Sequence, residues 1–445
     1  MRKFLEKDYI IGKAPKQATH YIIICLISLI LLTGLNSFFF ILKEAFGFGQ
    51  GTFMFTSEDR FADIIKVALS YKEILVKIPN FENRINNLSS IYQNYFYNNP
   101  YGGILNINGL THFHLTPISS LLGIIVGTAI GYGLTPGLIM FILFFLCVFL
   151  SFASTYNIVR SYRKSLLLVS FITVSYPLLM IVTRGNYQAF FCAIGVLSFL
   201  ISLFINKKVD FVSLFLFAVA INFRPNALIL IIAFPLLLGI KKSIWPIVKL
   251  LILSFAIYIF TYLILNYIYP DYTFATFLKA LSVYNKTYIV GYSGLAFNSS
   301  MFGLLQIFGT LFKINISIIM WMFYILSFTI LLVLLRLIFK PNSIIAYYPF
   351  ILSSIYILIN PVAADYHLLI FIFPIFIIYN NYEYWQNDRY TLIIITLSTL
   401  LLLAPKNYIF INGISLQVII NPLIMLSTTI YLFYKNEIKQ KIEYK

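Results

Sequence analysis

A few polar side chains in a mostly apolar chain could do chemistry, and they fall in short groups. The first is Ser57-Glu-Asp-Arg60 with Asp63 close behind. Asp59 and Asp63 are spaced i, i+4, so on a helix both carboxylates share one face, with Arg60 beside them. Carboxylates so placed can serve as general bases. The same pattern also suits an ordinary acidic first helical turn. The second group is Thr183-Arg-Gly-Asn-Tyr-Gln188, a polar turn between two apolar runs. Arg184, Asn186 and Gln188 could grip a phosphate or sugar hydroxyls, or simply end a helical hairpin at a membrane interface.

The third group is Asn222-Phe-Arg-Pro-Asn226. Proline breaks a helix there, and Arg224 sits where a charge is costly unless solvated or paired. The fourth is Asn360-Pro-Val-Ala-Ala-Asp-Tyr-His367, with Asp365 and His367 at the mouth of a following apolar run. Such a pair could do acid–base work or bind phosphate; a single histidine at an interface can equally be a bystander facing lipid headgroups. The chain has no HExxH, no P-loop and no GxSxG, so metalloprotease, nucleotide-binding and hydrolase-elbow readings lack their motifs.

The elements that must position these groups are membrane helices. Hydrophobic residues make up 60% of the 445 and charged residues 11%, against roughly 25% charged in a soluble domain. Apolar runs at His20–Phe40, Pro136–Ser154, Ile244–Ile268, Ile316–Leu335 and Leu416–Tyr434 are each about 20 residues long, enough to cross a hydrocarbon core roughly 30 Å thick. The fold class expected is therefore all-α, a polytopic membrane protein with about twelve spans. No internal repeat or linker divides it, so residues 1–445 read as one domain, with residues 41–116 as a long first outer loop containing amphipathic helices such as Ile64–Val76.

The net charge of +17 fits loops on one side of a membrane better than nucleic-acid binding. Basic residues precede the first run (Arg2, Lys3, Lys7, Lys13, Lys16), follow the last (Lys435, Lys439, Lys441, Lys445) and cluster at Arg160/Arg163/Lys164, Lys207/Lys208, Lys241/Lys242 and Arg336/Lys340. Placing all of these in the cytoplasm puts Gly47–Thr116, Arg184–Gln188, Asn222–Asn226, Asp271–Asn298, Asn360–Tyr366 and Lys406–Ser415 outside. That arrangement requires Pro117–Tyr132 to be a short cap rather than a true span. Cys25, Cys147 and Cys192 lie in apolar runs with no metal spacing.

These groups, in this order, resemble bacterial membrane glycosyltransferases of the GT-C fold, and more narrowly glycosyltransferase family 87, which includes polyprenol-phosphate-mannose-dependent mannosyltransferases. The resemblance spans roughly Tyr21 to Phe376. It rests on Asp59-Arg-Phe-Ala-Asp-Ile-Ile-Lys-Val-Ala68, Arg184-Gly-Asn-Tyr-Gln188, Arg224-Pro225, Asn298-Ser-Ser-Met-Phe-Gly-Leu-Leu305 and Asn360-Pro-Val-Ala-Ala-Asp-Tyr-His-Leu368. The family commonly ends its first outer loop in Tyr-Pro-Pro-Leu, where this chain has His114-Leu-Thr-Pro117.

The resemblance implies transfer of a mannose-like hexose or pentose from a polyprenyl-phosphate donor to a glycan or glycolipid acceptor. The reaction would face outward from a bacterial inner membrane, as in cell envelope polysaccharide synthesis, with membrane lipid but no nucleic acid as partner. Asp63 is then the catalytic base, with Asp59 as its alternative one turn away and His367 as phosphate donor or base. Arg184 and Arg224 would hold the phosphate, and Arg60, Asn186, Gln188, Asn298 and Asp365 complete the implied substrate-binding set. No metal or other cofactor is called for. Two other classes compete: an outer-face polysaccharide polymerase or ligase, and a transporter or flippase of lipid-linked sugars, for which inverted repeats and midplane charges are expected.

Overall fold

The computed structural model describes residues 16–46, 63–64, 75, 115–290, 295, 298–339, 345–404, 410–411 and 414–443. Asp59, Arg60, most of the Ile64–Val76 stretch and the Thr111–His114 segment lie outside the described residues. Their regular structure is helical apart from a small antiparallel hairpin, β1 (Phe410–Ile411) and β2 (Ile414–Ser415).

Six helices are long and apolar enough to cross a membrane. They are α1 (Lys16–Phe46), α3 (Pro136–Val159), α6 (Tyr187–Asn206), α9 (Ile240–Ile268), α12 (Ile316–Phe339) and α16 (Gln417–Glu443). A seventh is bent: α4 (Tyr162–Val174) and α5 (Tyr176–Arg184) meet at 60°. The break falls at Ser175, extended at ψ 136°, with Pro177 in the first turn of α5. Proline has no N–H to continue the ladder and its ring crowds the preceding turn. Phe141, Phe145, Phe149, Phe255, Phe260, Trp321 and Phe328 all point outward. Aromatic exteriors of this extent mark a chain embedded in lipid.

Shorter helices fill the bundle: α7 (Phe211–Phe223), α8 (Ala233–Leu238), α10 (Phe274–Tyr284), α11 (Met301–Leu311), α13 (Tyr348–Leu358), α14 (Ile372–Asn380) and α15 (Arg389–Leu403). Four are entered through 3-10 segments: Pro225–Ile232 before α8, Ile345–Tyr347 before α13, Asp365–Phe371 before α14 and Gln386–Asp388 before α15. The α6–α7 hairpin is the centre of the packing. A Cβ on Gly195 would meet the Leu216 carbonyl oxygen at 2.2 Å, so only glycine lets α7 come this close. Phe199 and Phe217 stack beside it, 4.0 Å between ring centroids, a contact worth about 0.5–1.5 kcal/mol beyond area burial.

The segments that the charge pattern sorts to one side meet at one end of the molecule. The Tyr187 hydroxyl donates to the Ser119 carbonyl, Tyr272 to that of Leu115, and the Asn226 amide to Asn360. Lys16 begins α1 and Gln17 bonds Gln386 at the opposite end, where Asp388 also lies 3.7 Å from Lys435. The helix α2 (Pro117–Gly131) packs through Ile124, Val126 and Ile130 on Ile139, Tyr187, Phe223 and Leu265, the near ends of α3, α6, α7 and α9. Start and finish of α2 therefore lie at the same end, in keeping with a cap rather than a span.

Candidate active site at one end of the bundle

The turn between α5 and α6 is built by three consecutive residues. Gly185 ends α5 in the left-handed region at φ +74°, where a side chain is strained. A Cβ there would also come within 2.9 Å of Ile64. Asn186 then caps α6, its Oδ1 accepting the Ala189 N–H at 3.0 Å. That fixes the Asn186 amide with Nδ2 turned outward, toward Asp63.

Asp63 is gripped from this turn. Arg184 donates through Nη2 to Oδ1 at 3.3 Å and through Nε to Oδ2 at 3.4 Å, and Asn186 Nδ2 donates to Oδ2 at 2.9 Å. The two-point contact is the bidentate geometry that guanidinium makes with carboxylates. Asp63 also sits by the N-terminus of α6, whose free N–H groups favour negative charge. The ion pair is about a quarter exposed on each side, so the carboxylate keeps a solvent-facing edge.

Arg224 supplies a second guanidinium. It is extended at φ −140°, ψ 96°, the conformation expected of a residue before proline, and so ends α7. Its Nη1 donates to His367 Nε2 at 2.8 Å and its Nη2 reaches Asn186 Oδ1 at 3.5 Å. Guanidinium can only donate, so His367 Nε2 is the acceptor and Nδ1–H donates to the Ala364 carbonyl at 3.1 Å. The ring is therefore neutral, and a proton reaches Nε2 only by breaking its bond to Arg224. The guanidinium also lies 4.9 Å over the Tyr366 ring, a favourable cation–π geometry. No carboxylate among the described residues pairs with Arg224, and its buried Nε has no hydrogen-bond partner.

Five expected residues thus form one chain of contacts: Asp63, Arg184, Asn186, Arg224 and His367. Asp365 is buried on the other side of the same 3-10 helix, accepting from Ser299 at 3.2 Å. Asn298 is spent on backbone: Nδ2 donates to Pro361 O, and Oδ1 accepts from the N–H groups of Ser300 and Ala363. Gln188, half-buried on the first turn of α6, makes no side-chain hydrogen bond among the described residues. Tyr366 and Gly185 also shape this cluster, and residue type alone did not single them out. Below His367 the interior narrows to a cavity of about 10 Å³ against Cys192 and Tyr356, room for about one water. Comparison with models of known families, with curated proteins and with solved structures finds no match.

Among the described residues, no three histidine, cysteine, aspartate or glutamate side chains stand close enough to share a metal ion.

Proposed function

We propose that this chain is a membrane glycosyltransferase that uses a polyprenyl-phosphate sugar as donor. The observation that carries the reading is Arg224, a cation with an unpartnered buried Nε and, among the described residues, no paired carboxylate, beside a carboxylate already held by Arg184 and Asn186. A buried cation without a counter-charge is costly, and a phosphate arriving from the bilayer would supply one. The apolar exterior of the bundle gives the lipid tail its path.

In this reading the acceptor hydroxyl attacks the anomeric carbon while Asp63 takes its proton. The bond from that carbon to the phosphate oxygen breaks, and the electron pair leaves on the lipid phosphate. Arg224 and Arg184 meet the growing charge with donors fixed in advance. The His367 Nε2 lone pair is already used by Arg224, which leaves the base role to Asp63 and makes His367 a positioning residue. The site faces outward from a bacterial inner membrane, and the acceptor is a glycan or glycolipid. Six or seven helices have the length and composition to cross a membrane, and in this reading some of the shorter apolar helices add further crossings.

The test is transfer by the purified full chain in lipid nanodiscs from a panel of polyprenyl-phosphate sugars, with Asp63→Asn as control. One donor should be consumed and the variant should be inactive. Should none be consumed, the glycosyltransferase reading fails; extension of a pyrophosphate-linked oligosaccharide instead would favour the polymerase.

A further inference from the structure

The first turns of α16 carry an unusual group. Gln417 and Asn421 are spaced i, i+4 and share a helix face, and both are fully buried. Among the described residues, neither Oε1 nor Nε2 of Gln417 has a hydrogen-bond partner, and Asn421 Oδ1 has none either. Ser415, in β2 just before the helix, is fully buried with its hydroxyl unpartnered. The rest of the cluster shows where these groups lie. Asn421 Nδ2 donates to Ser299 Oγ at 2.9 Å and reaches Asp365 Oδ1 at 3.5 Å.

Structural amides in this region look different. Asn298, in the same neighbourhood, satisfies both ends of its amide on backbone groups. Leaving a buried donor or acceptor unmade is expensive, so buried polar groups in folded chains are almost always paired. Four orphaned atoms on Ser415, Gln417 and Asn421 call for a ligand with both donors and acceptors. A bare cation would satisfy the oxygens and leave Gln417 Nε2 without a partner. An anion would meet Asp365 and two amide oxygens. A hydroxyl both donates and accepts, so several on one ring answer the whole set.

We infer that Gln417, Asn421 and Ser415, with Ser299 and Asp365, form a subsite that recognises the hydroxyls of the donor's sugar ring, an inference that rests on the glycosyltransferase reading. The placement fits. Asp365 and His367 are two residues apart on one 3-10 helix, about 4 Å along its axis and on different faces. A phosphate at Arg224 and a sugar turned toward Asp365 would straddle that helix. The groups are enclosed, so a ring reaches them only if the turn before α16 or residues 298–300 move aside.

The test is equilibrium binding of two lipids, a polyprenyl-phosphate hexose and the plain polyprenyl phosphate, to the full chain in nanodiscs. The parent should bind the sugar-bearing lipid more tightly. Gln417→Leu and Asn421→Leu should each weaken that lipid about tenfold and leave the plain phosphate unchanged. The melting temperature of Gln417→Leu should hold or rise, because it removes two buried atoms that lack partners, whereas Asn421→Leu also removes the Nδ2 bond to Ser299 and should lower it. Gln417→Asn, which keeps an amide but shortens it, serves if leucine prevents folding and should also lose the preference. Equal binding of both lipids by the parent, or variants that keep the preference, would overturn the subsite. Binding of neither lipid would instead overturn the proposed function itself.

Discussion

Each end of the molecule holds a carboxylate ringed by donors, and the two differ in whether the protein completes the ring. At the end where α1 begins, Asp388 accepts from Tyr347 at 3.0 Å and Thr391 at 2.9 Å and lies 3.7 Å from Lys435. Burial first, and then the Asp388 charge, push the Tyr347 hydroxyl far above the usual phenol range, so it stays a donor. Charge and hydrogen bonds there close within the protein. At the other end Asp63 has Arg184 and Asn186, but the neighbouring Arg224 pairs with no carboxylate among the described residues and has an orphaned Nε. A closed cluster stabilises a fold; an open one is poised for a ligand.

The largest expected effect is at the open end. Asp63→Asn is nearly isosteric but cannot accept a proton, and a general base is worth about 10²–10⁴ in rate. Turnover should fall by that factor with the melting temperature little changed, measured by sugar transfer and thermal unfolding in parallel. His367→Ala should fall by less, because it orients Arg224 without touching the reacting atoms. If His367→Ala is dead and Asp63→Asn is active, the base is the histidine.

Next come the guanidinium groups. Lysine keeps the charge of Arg184 or Arg224 but not the planar fork. With a charge-assisted contact worth about 1.5–3 kcal/mol, Arg224→Lys and Arg184→Lys should lose about tenfold to a hundredfold in kcat/KM. Parent rates in both would reduce these arginines to interfacial anchors.

The closed end should respond in the opposite currency. Asp388→Asn leaves two hydroxyl donors with a weaker acceptor and Lys435 without its charge partner. A loss of about 1–3 kcal/mol in stability is expected, with transfer activity per folded molecule retained. Lost transfer at unchanged stability would break the contrast between the two ends.

Much of this was legible in the sequence, for identifiable reasons. Long apolar runs and the placing of lysines and arginines depend only on local composition, and they gave the fold class and the sorting of segments to two ends. The residue types of the site were also readable, because Arg184, Arg224, Asp63 and His367 are rare ionisable residues beside apolar runs. Their partnerships were not: Arg184 and Asp63 are 121 positions apart, and no periodicity reports such a contact. Gly185 stood in plain view within Arg184-Gly-Asn186, but its role depends on φ +74° and on Ile64 lying against it. The 60° break at Ser175 was hidden inside a run that reads as continuously apolar. Gln417 and Asn421 lie inside the apolar run Leu416–Tyr434, and only burial without partners sets them apart.

The smallest effect separates local stability from function by pH. Asp210 caps α7, at the end of the α6–α7 hairpin opposite Asn186. Its Oδ1 accepts the Ser213 N–H at 2.9 Å and its Oδ2 accepts the hydroxyls of Ser213 at 2.8 Å and Ser202 at 2.9 Å. Burial pushes this carboxyl up, but the bonds from Ser213 and Ser202 outweigh it and hold it below the usual aspartate range. A carboxyl lowered on folding adds stability above its unfolded pKa of about 3.9, and that stability is lost as pH falls through the folded value. Asp210→Ala should therefore cost about 1 kcal/mol near neutral pH, the usual worth of an N-cap. The gap between variant and parent should close as the solution is acidified below about pH 4. Melting temperatures of both proteins across that window are the measurement, and transfer activity at neutral pH should be unchanged. A gap that persists at low pH would mean that Asp210 acts by packing rather than as a charged cap.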